Sequence, residues 1–254
     1  MALPAFRPHS LHAPLVPCLR QGLYSLADLN TAATTADLRT GGGLPLRFVP
    51  PGSGDGYEAS AYLRGEVETR PDNWHDLFGA WVWLAFPRSK AVMNRLHWEA
   101  LQKETGRRGP VRDALTQFDE CGVVVLSTDR GLWQDICQHR WREVFAERRD
   151  DVQRHLRFLV FGHASHDALQ NPFIGLCGKA VCFDVAELPT SLLDQVSLAD
   201  RLLADYLVQH DNLRPRCWQP LPLLGIPGAT PDNERLGYYD DHRQFRPLHV
   251  AARG

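Results

Sequence analysis

The clearest hydrophobic pattern in the chain is that of an amphipathic helix between Asn73 and Pro87. Apolar residues recur there at the i, i+3, i+4, i+7 spacing that places side chains on one helix face, namely at Trp74, Leu77, Phe78, Trp81, Leu84 and Ala85. Asp72 and Asn73 are suitable N-caps, and Pro87 is typical of a helix boundary. A second helix, starting at Ser89 and ending before Gly106, completes a predicted helical hairpin.

Shorter apolar runs predict strands over 122–126, 156–161 and 176–185, because they are too short for helices and rich in β-branched or aromatic residues. Residues 44–50 and 57–68 read as two further strands joined by the Gly/Pro-rich segment 50–56, which predicts a hairpin. Further helices are expected over 111–120, 130–151, 162–170 and 191–210. The remainder is Pro-rich and irregular.

The order of these elements favours one α+β domain. Strands and helices alternate, but their connections are too uneven for a doubly wound sheet. We therefore predict a single domain over 44–254, with a small mixed or antiparallel sheet packed with helices and an irregular Pro-rich C-terminal wrap. Residues 1–43 are expected to form a Pro-rich arm on the surface of the core, with one short helix capped by Ser25.

Composition narrows the class of protein without revealing its activity. The formal net charge is −2, with 28 Lys and Arg against 30 Asp and Glu, so no strong field attracts a polyanion, and we expect no nucleic-acid partner. No run of about 18 apolar residues predicts a membrane span. The six cysteines form no CxxC pair, which favours reduced thiols and a cytoplasmic location. The oligomeric state is left open.

The densest group of charged residues surrounds the short helix predicted at 111–120. Asp113 and Glu120 share one helix face, and Arg112 and Asp119 share the neighbouring one. Carboxylates arranged in this way can hold a divalent cation or divide acid and base roles. In the alternative interpretation they are structural, with Asp113 pairing with Arg108 and Asp119 pairing with Arg112.

Two histidines are candidates for chemistry. His75 precedes Asp76 at the start of the best helix, and Gly79 leaves that helix face open to a ligand. Asp76 could instead only cap the helix, and His75 could be a core histidine. His163 follows an apolar run and a glycine, and its spacing to His166 suits a metal site, although hydrogen bonding by His163 alone is the alternative.

Two further stretches could bind an anion. Near the C-terminus, Asp240 and Arg246 lie among aromatic residues, where the guanidinium group could clamp a carboxylate or phosphate. The alternative is that this tail only latches onto the core. Lys90, near the start of the second helix, is a weaker candidate for a phosphate contact.

Four stretches in this order resemble domain-of-unknown-function family 3025, a bacterial family. They are Asn73–Trp81 with Phe86–Lys90 and Asn94, Arg108–Glu120 with Gly122, Phe161–Ala164, and Tyr239–Pro247. The resemblance runs through most of 74–247 and implies a single-domain bacterial protein, but it carries no activity. Similar sequences tend to have Asn before Ala where this chain has Gly79-Ala80, so a role of that Asn does not carry over.

These residues lead to two hypotheses. In the first, the protein is a hydrolase or metal-assisted acid–base enzyme acting on a small anionic substrate, and its polar motifs meet in one pocket. The catalytic candidates are then His75, Asp76, Asp113, Asp119, Glu120 and His163, and the substrate-binding candidates are Arg112, Arg246, Lys90 and Asp240. In the second, it is a non-enzymatic binding or interaction protein whose motifs form a structural ion-pair network. The first hypothesis includes a divalent metal ion as a cofactor, and the sequence does not specify which metal.

Overall fold

The computed structural model describes residues 3–52, 56–209 and 213–248. The first five α-helices are α1 (Val16–Gln21), α2 (Leu26–Thr35), α3 (Tyr57–Arg64), α4 (Trp74–Ala85) and α5 (Pro87–Lys103). They are followed by α6 (Pro110–Cys121), α7 (Arg130–Cys137), α8 (Arg149–His155), α9 (His163–Ala168) and α10 (Leu192–Gln209). The strands are β1 (Arg47–Val49), β2 (Glu66–Glu68), β3 (Gly122–Ser127), β4 (Leu156–Val160), β5 (Cys177–Asp184) and β6 (Gln219–Pro222).

Short helical segments of other types complete the described chain. Those of 3₁₀ type are Ser10–Leu15, Pro215–Cys217, Leu223–Gly225, Pro231–Glu234 and Leu236–Asp240, and Glu143–Glu147 is a π-helical turn. The described helices include none that is long and apolar enough to cross a bilayer.

The main sheet is mixed and has β3 in its interior. Its strand order is β4-β3-β5-β6, in which β3 pairs antiparallel with β4 and parallel with β5, and β5 pairs antiparallel with β6. Every residue of β3 is buried, which explains its uninterrupted apolar sequence. The predicted α+β class with a small mixed sheet is therefore confirmed.

Successive residues of β3 contribute to different cores. Val124 and Leu126 belong to a core that includes buried residues of α4 and α6, whereas Val123 and Val125 belong to a second core with residues of α7 and α8. This alternation follows from the two-residue side-chain period of a strand. The sheet thus carries helices on both faces.

The hairpin predicted over 44–68 is wrong. Tyr57–Arg64 is a helix, and β1 and β2 pair in parallel, with Phe48 opposite Val67. Gly65 ends this helix with φ +73°, a left-handed conformation that glycine adopts without strain. A Cβ at Gly65 would also lie 2.4 Å from the Pro45 carbonyl oxygen, so glycine is required there for close packing.

The helix predicted over 130–151 is also wrong, because the chain breaks after α7. His139 has φ +57°, and the following residues return as the π-helical turn before α8 begins. The break lets His139 Nδ1 and Trp141 Nε1 donate to the Arg246 carbonyl oxygen, at 3.0 and 2.9 Å. The C-terminal segment is therefore fastened to this side of the molecule.

The other predicted elements have close counterparts in the structure. Helices and strands occur at each remaining position, and Asn73 caps α4 by accepting from Asp76 N at 3.1 Å. His210, the end of the last predicted helix, lies outside the described residues. The Pro-rich remainder differs in containing β6, a strand at the edge of the sheet, where proline is tolerated.

The N-terminal arm contributes to the core as well as covering it. Leu15 and Leu29 are fully buried in the core that contains α4 and α6. Ser25 caps α2 as expected, its hydroxyl accepting from Asp28 N at 3.2 Å. The boundary at residue 43 stays a prediction.

Two glycines bring the end of α6 against the start of α9. A Cβ at Gly162 would lie 2.4 Å from the Glu120 carbonyl oxygen and 2.5 Å from the Cys121 backbone nitrogen. A Cβ at Gly122 would lie 2.4 Å from the Phe118 carbonyl oxygen. Because backbone atoms cannot easily move away, only glycine permits this approach.

Gly162→Ala is expected to lower the free energy of unfolding by about 1–3 kcal/mol, since the added methyl group overlaps backbone. Gly79→Ala is the matched control, because a Cβ there would meet only His163 Cδ2 and Cγ, at 3.9 and 4.0 Å. Urea unfolding should show it to be neutral or more stable by about 0.5–1 kcal/mol. Equal stability of Gly162→Ala and the unmodified protein would contradict the steric argument.

Candidate functional site

A cleft of about 730 Å³ opens where α3, α4, α5, α6 and α9 approach one another. Three of the four polar motifs of the sequence contribute to its lining. The predicted site residues found there are His75, Asp76, Arg112, Asp119, Glu120 and His163. The cleft thus brings together side chains that are far apart in the sequence.

His75 and His163 are in direct contact. Their Nε2 atoms are 3.1 Å apart and their ring centroids 4.5 Å apart. His75 lies in the first turn of α4, next to the cap at Asn73, and His163 is the first residue of α9. Gly79, one turn further along α4, lies beside the His163 ring, which a Cβ at this position would meet only in ordinary contact, at 3.9 Å.

Glu120 completes a cluster of three potential metal ligands. Its Oε2 lies 3.6 Å from His163 Nε2. One ligand atom from each of His75, Glu120 and His163 lies within 4.8 Å of the other two. In the described part of the chain, no other group of three His, Cys, Asp or Glu residues meets this criterion.

The hydrogen bond of His163 fixes its tautomer. Nδ1 donates to the Asp119 backbone carbonyl at 2.7 Å. That carbonyl belongs to the last turn of α6, where carbonyls lack partners within the helix. Burial lowers the pKa of His163, and the nearby carboxylate of Asp119 does not offset this effect. The neutral ring therefore has its lone pair on Nε2, the atom that faces His75 and Glu120.

The cluster has the chemistry and spacing of a divalent transition-metal site. Zinc accepts imidazole nitrogen and carboxylate oxygen at about 2.0–2.2 Å, which puts two ligands of a tetrahedral site roughly 3.3 Å apart. The observed separations of 3.1 and 3.6 Å bracket that value. A histidine that donates its other N–H to a backbone carbonyl is common among metal ligands. Three protein ligands beside an open cleft leave a further position for water or substrate.

Asp119 is held as an anion behind the cluster. Lys90 Nζ lies 2.6 Å from Asp119 Oδ1, and it also lies over the Trp83 ring at 5.2 Å. Burial acts to raise the pKa of Asp119, but the charge and hydrogen bond of Lys90 act in the opposite direction and the pKa is lowered. The pKa of Lys90 is raised despite burial, chiefly by Asp119. The predicted pairing of Asp119 with Arg112 is not observed, because Arg112 binds Glu104 at 2.7 Å.

The lining of the cleft has more carboxylates than arginines. The arginines among its described residues are Arg70, Arg108 and Arg112, and the carboxylates are Glu58, Glu68, Asp76, Asp119 and Glu120. Asp76 accepts from both Arg70 Nε and Nη2, at 2.8 and 3.0 Å. Because Asp119 is already paired with Lys90, the other four carboxylates exceed the three arginines by one formal charge.

Four of the predicted site residues lie away from this lining. Asp113 is half exposed and pairs with Arg108 at 3.0 Å, as the structural alternative expects. Asp240 lies 3.2 Å from Arg142 Nη1. The Arg246 carbonyl receives the bonds from His139 and Trp141 described above. Lys90 is buried and pairs with Asp119 without lining the cleft itself.

His166 does not join His163 as a metal ligand. It is completely buried, its Nε2 donates to the Val160 carbonyl at 3.1 Å, and its ring stacks on His12 and Phe78. His12 Nε2 in turn donates to the His166 carbonyl at 2.8 Å. His166, three residues after His163, therefore lies in the core. The histidine that contacts His163 is His75 of α4.

Sequence reasoning missed Tyr57, Glu58 and His97, which also line the cleft. The sequence pattern predicts Tyr57 and Glu58 to lie in a strand. His97 had a detectable signal, because Lys90, Asn94 and His97 recur at the spacing of one helix face. All three are at most 4% exposed, so α5 buries a polar stripe against the cleft.

Comparison with known proteins gives a family without an activity. The family model described as a protein of unknown function (DUF3025) matches residues 46–249. The chain belongs to this family. No curated protein and no solved structure gave a significant match. The residues of the DUF3025 match include the whole lining of the cleft.

We expect the protein to lose stability as the pH falls below about 6.5. Burial lowers the pKa of His12, His163 and His166 in the folded protein, whereas an unfolded histidine titrates near 6.5. The unfolded chain then binds more protons on acidification, and the free energy of unfolding falls. Urea unfolding between pH 8 and 5 measures this decline.

His166→Gln should flatten that pH dependence, because it removes a buried titrating group while its amide can still donate to Val160. His242→Gln, at an exposed histidine, is the control and should leave the slope unchanged. A free energy of unfolding that is constant from pH 8 to 5 in the unmodified protein would contradict the expectation.

Proposed function

We propose that the protein is a metal-dependent hydrolase acting on a small anionic substrate. The observation that supports this most is the convergence of His75, Glu120 and His163, from three helices, on one point of a large polar cleft. We propose these three residues as ligands of a divalent ion of the zinc class. The same proposal places the protein in the bacterial cytoplasm, which suits its six cysteines, all described and all unpaired.

The reaction would use the cleft as follows. A bound divalent ion supplies a Lewis acid and lowers the pKa of a coordinated water to about 7. His163 would hold such an ion through Nε2, because Nδ1 is committed to the Asp119 carbonyl. Arg70 and Arg108, whose side chains are 55% and 41% exposed, lie at the mouth paired with Asp76 and Asp113, and an anionic substrate would compete with these carboxylates for them.

Asp119 has a supporting role in this scheme. Its lowered pKa keeps it ionised at neutral pH, so it cannot donate a proton as a general acid. Its carboxylate Oδ2 lies 3.8 Å from His163 Nδ1, where the negative charge favours a proton on that nitrogen. Asp119 thus orients His163 with both its backbone and its side chain.

A purely structural ion-pair network explains fewer of these observations. It accounts for Asp119 with Lys90, for Arg112 with Glu104 and for Asp76 with Arg70. It accounts for the contact of the two imidazole nitrogens as a hydrogen bond from His75 Nε2 to His163 Nε2, but it gives no role to the Glu120 carboxylate 3.6 Å from the same nitrogen. It also expects no pocket between the motifs, whereas the cleft opens there.

The proposal is tested first by titrating the purified, chelator-treated protein with zinc in a calorimeter. We expect one equivalent to bind. His75→Ala and His163→Ala should each weaken binding by at least about 100-fold, and Glu120→Gln by about 10–100-fold, since each removes or alters a ligand. Asp113→Asn, on the same helix as Glu120 but outside the cleft, is the control and should bind zinc normally.

Hydrolysis is then assayed with 4-nitrophenyl phosphate and 4-nitrophenyl acetate. The zinc-loaded protein should hydrolyse the anionic phosphate ester in preference to the neutral acetate ester, and His163→Ala should abolish this activity. Absence of zinc binding by the unmodified protein, or equal loss of affinity in Asp113→Asn, would overturn the metal site. Zinc binding without hydrolysis of either ester would overturn the proposed chemistry.

A further inference from the structure

A short segment near the start of the chain contacts both helices that carry the two proposed histidine ligands. We call residues 4–12 the strap, and they lie before the stretch that the DUF3025 model matches. All nine are described, and none of them lines the cleft. The strap therefore meets α4 and α9 on faces other than the one that carries His75 and His163.

On α4, the strap contacts the residue immediately before His75. Trp74 Nε1 donates to the Pro4 carbonyl at 3.0 Å. The Phe6 ring packs against the Trp74 ring, with centroids 5.4 Å apart, and against the Phe78 ring one turn further along, at 6.3 Å. Aromatic pairs at these distances attract each other beyond the effect of burial alone. The first turn of α4 is thus held in place from the side of the strap.

His12 connects the strap to α9 and to α4 at once. Its Nδ1 accepts from His9 N at 2.9 Å, so Nε2 carries the proton that it donates to the His166 carbonyl at 2.8 Å. The His12 ring also stacks on Phe78 of α4 and on His166 of α9, with centroids 5.6 and 5.5 Å away. One ring, 1% exposed, therefore touches both helices.

The separation of the two proposed ligands depends on how α4 lies against α9. His75 belongs to one helix and His163 to the other, and their Nε2 atoms are 3.1 Å apart. A tetrahedral zinc site requires roughly 3.3 Å between two such atoms, and a displacement of about 1 Å is enough to spoil a site of this kind. Contacts that fix α4 relative to α9 therefore act on the affinity for the ion.

We propose that the strap clamps α4 to α9 and thereby holds His75 and His163 at the separation that a metal ion requires. His12 is then a positioning residue of the metal centre. By thermodynamic linkage, a bound ion stabilises the docked strap by the same free energy by which the docked strap improves binding of the ion. This inference rests on the proposed function, because it concerns the control of the same metal centre.

The clamp is tested first by titrating His12→Ala and Phe6→Ala with zinc in a calorimeter. His12→Ala removes contacts to both helices and should weaken zinc binding by about 10–100-fold, the usual effect of removing groups that support metal ligands. Phe6→Ala leaves His12 in place and should weaken zinc binding by about 3–10-fold through the lost ring contacts. If His12→Ala does not fold, Phe6→Ala decides.

Two controls separate positioning from general stability. Val152→Ala shortens a buried side chain of α8 in the second core, so it should lower stability while leaving zinc affinity unchanged. Ser10→Ala removes a hydrogen bond of the strap to the Gly228 carbonyl, 2.9 Å long, which reaches neither α4 nor α9. It should bind zinc like the unmodified protein.

A measurement without metal tests the clamp independently of the metal centre. The ring protons of His75 and His163 should show a nuclear Overhauser effect in the unmodified protein, since the ring centroids are 4.5 Å apart. We expect this effect to persist in Val152→Ala, to weaken in Phe6→Ala and to be lost in His12→Ala.

The linkage predicts the reciprocal effect in the unmodified protein. Within the strap, Leu11 N donates to His9 Nδ1 and His12 N donates to the His9 carbonyl. Saturating zinc should slow hydrogen exchange at these two amides, by up to the factor in zinc affinity that His12→Ala loses. Exchange at the same rate with and without bound zinc would contradict the linkage.

The outcomes separate the clamp from the proposed function. Suppose that the unmodified protein binds no zinc, but the ring contact weakens only in the two strap variants. The clamp is then supported and the metal-dependent hydrolase is overturned. Zinc binding by the unmodified protein, with full affinity and an intact ring contact in both folded variants, would overturn the clamp and leave the metal centre standing. Equal losses in Val152→Ala would also overturn the clamp, because affinity would then follow overall stability.

Discussion

The hydrogen bond from His163 Nδ1 to the Asp119 carbonyl, 2.7 Å long, is the interaction on which the rest of the site depends. It satisfies a carbonyl at the end of α6 and at the same time determines which nitrogen of His163 carries the proton. It can form only because Gly122 and Gly162 let α6, β3 and α9 meet without side chains between them. A backbone constraint thus sets the chemistry of an imidazole ring.

The charges around this bond are arranged in two layers. Behind it, the buried pair of Lys90 and Asp119 compensates itself and stays ionised. In front of it, the lining of the cleft has an excess of carboxylates, and His75 and His163 face each other beside Glu120. Burying an unpaired charge is costly, which explains the closed inner pair, whereas the proposed metal ion would complete the outer layer.

Much of this arrangement could be predicted from the sequence, because it follows from local rules. The cap at Asn73, the apolar face of α4 and the buried run of β3 each identify an element, and the sequence motifs predict His75, Glu120 and His163 as site residues. The features that the sequence does not predict correctly are those that depend on tertiary packing. Tyr57–Arg64 alternates apolar and polar residues well enough for a strand, yet Gly56 and Gly65 delimit a helix. The sequence also predicts Asp240 and Arg246 as site residues. The Arg246 carbonyl instead accepts hydrogen bonds from His139 and Trp141, which hold the C-terminal segment away from the cleft lining.

The central claim is that His75, His163 and Glu120 form one metal centre. X-ray absorption spectroscopy of the zinc-loaded protein tests it most directly, because it reports which atoms surround the ion. We expect a shell of nitrogen and oxygen at about 2.0–2.2 Å with the multiple-scattering signature of two imidazole rings, reduced to one ring in His75→Ala. A shell containing sulfur, or one with the same imidazole signal in His75→Ala, would contradict the account.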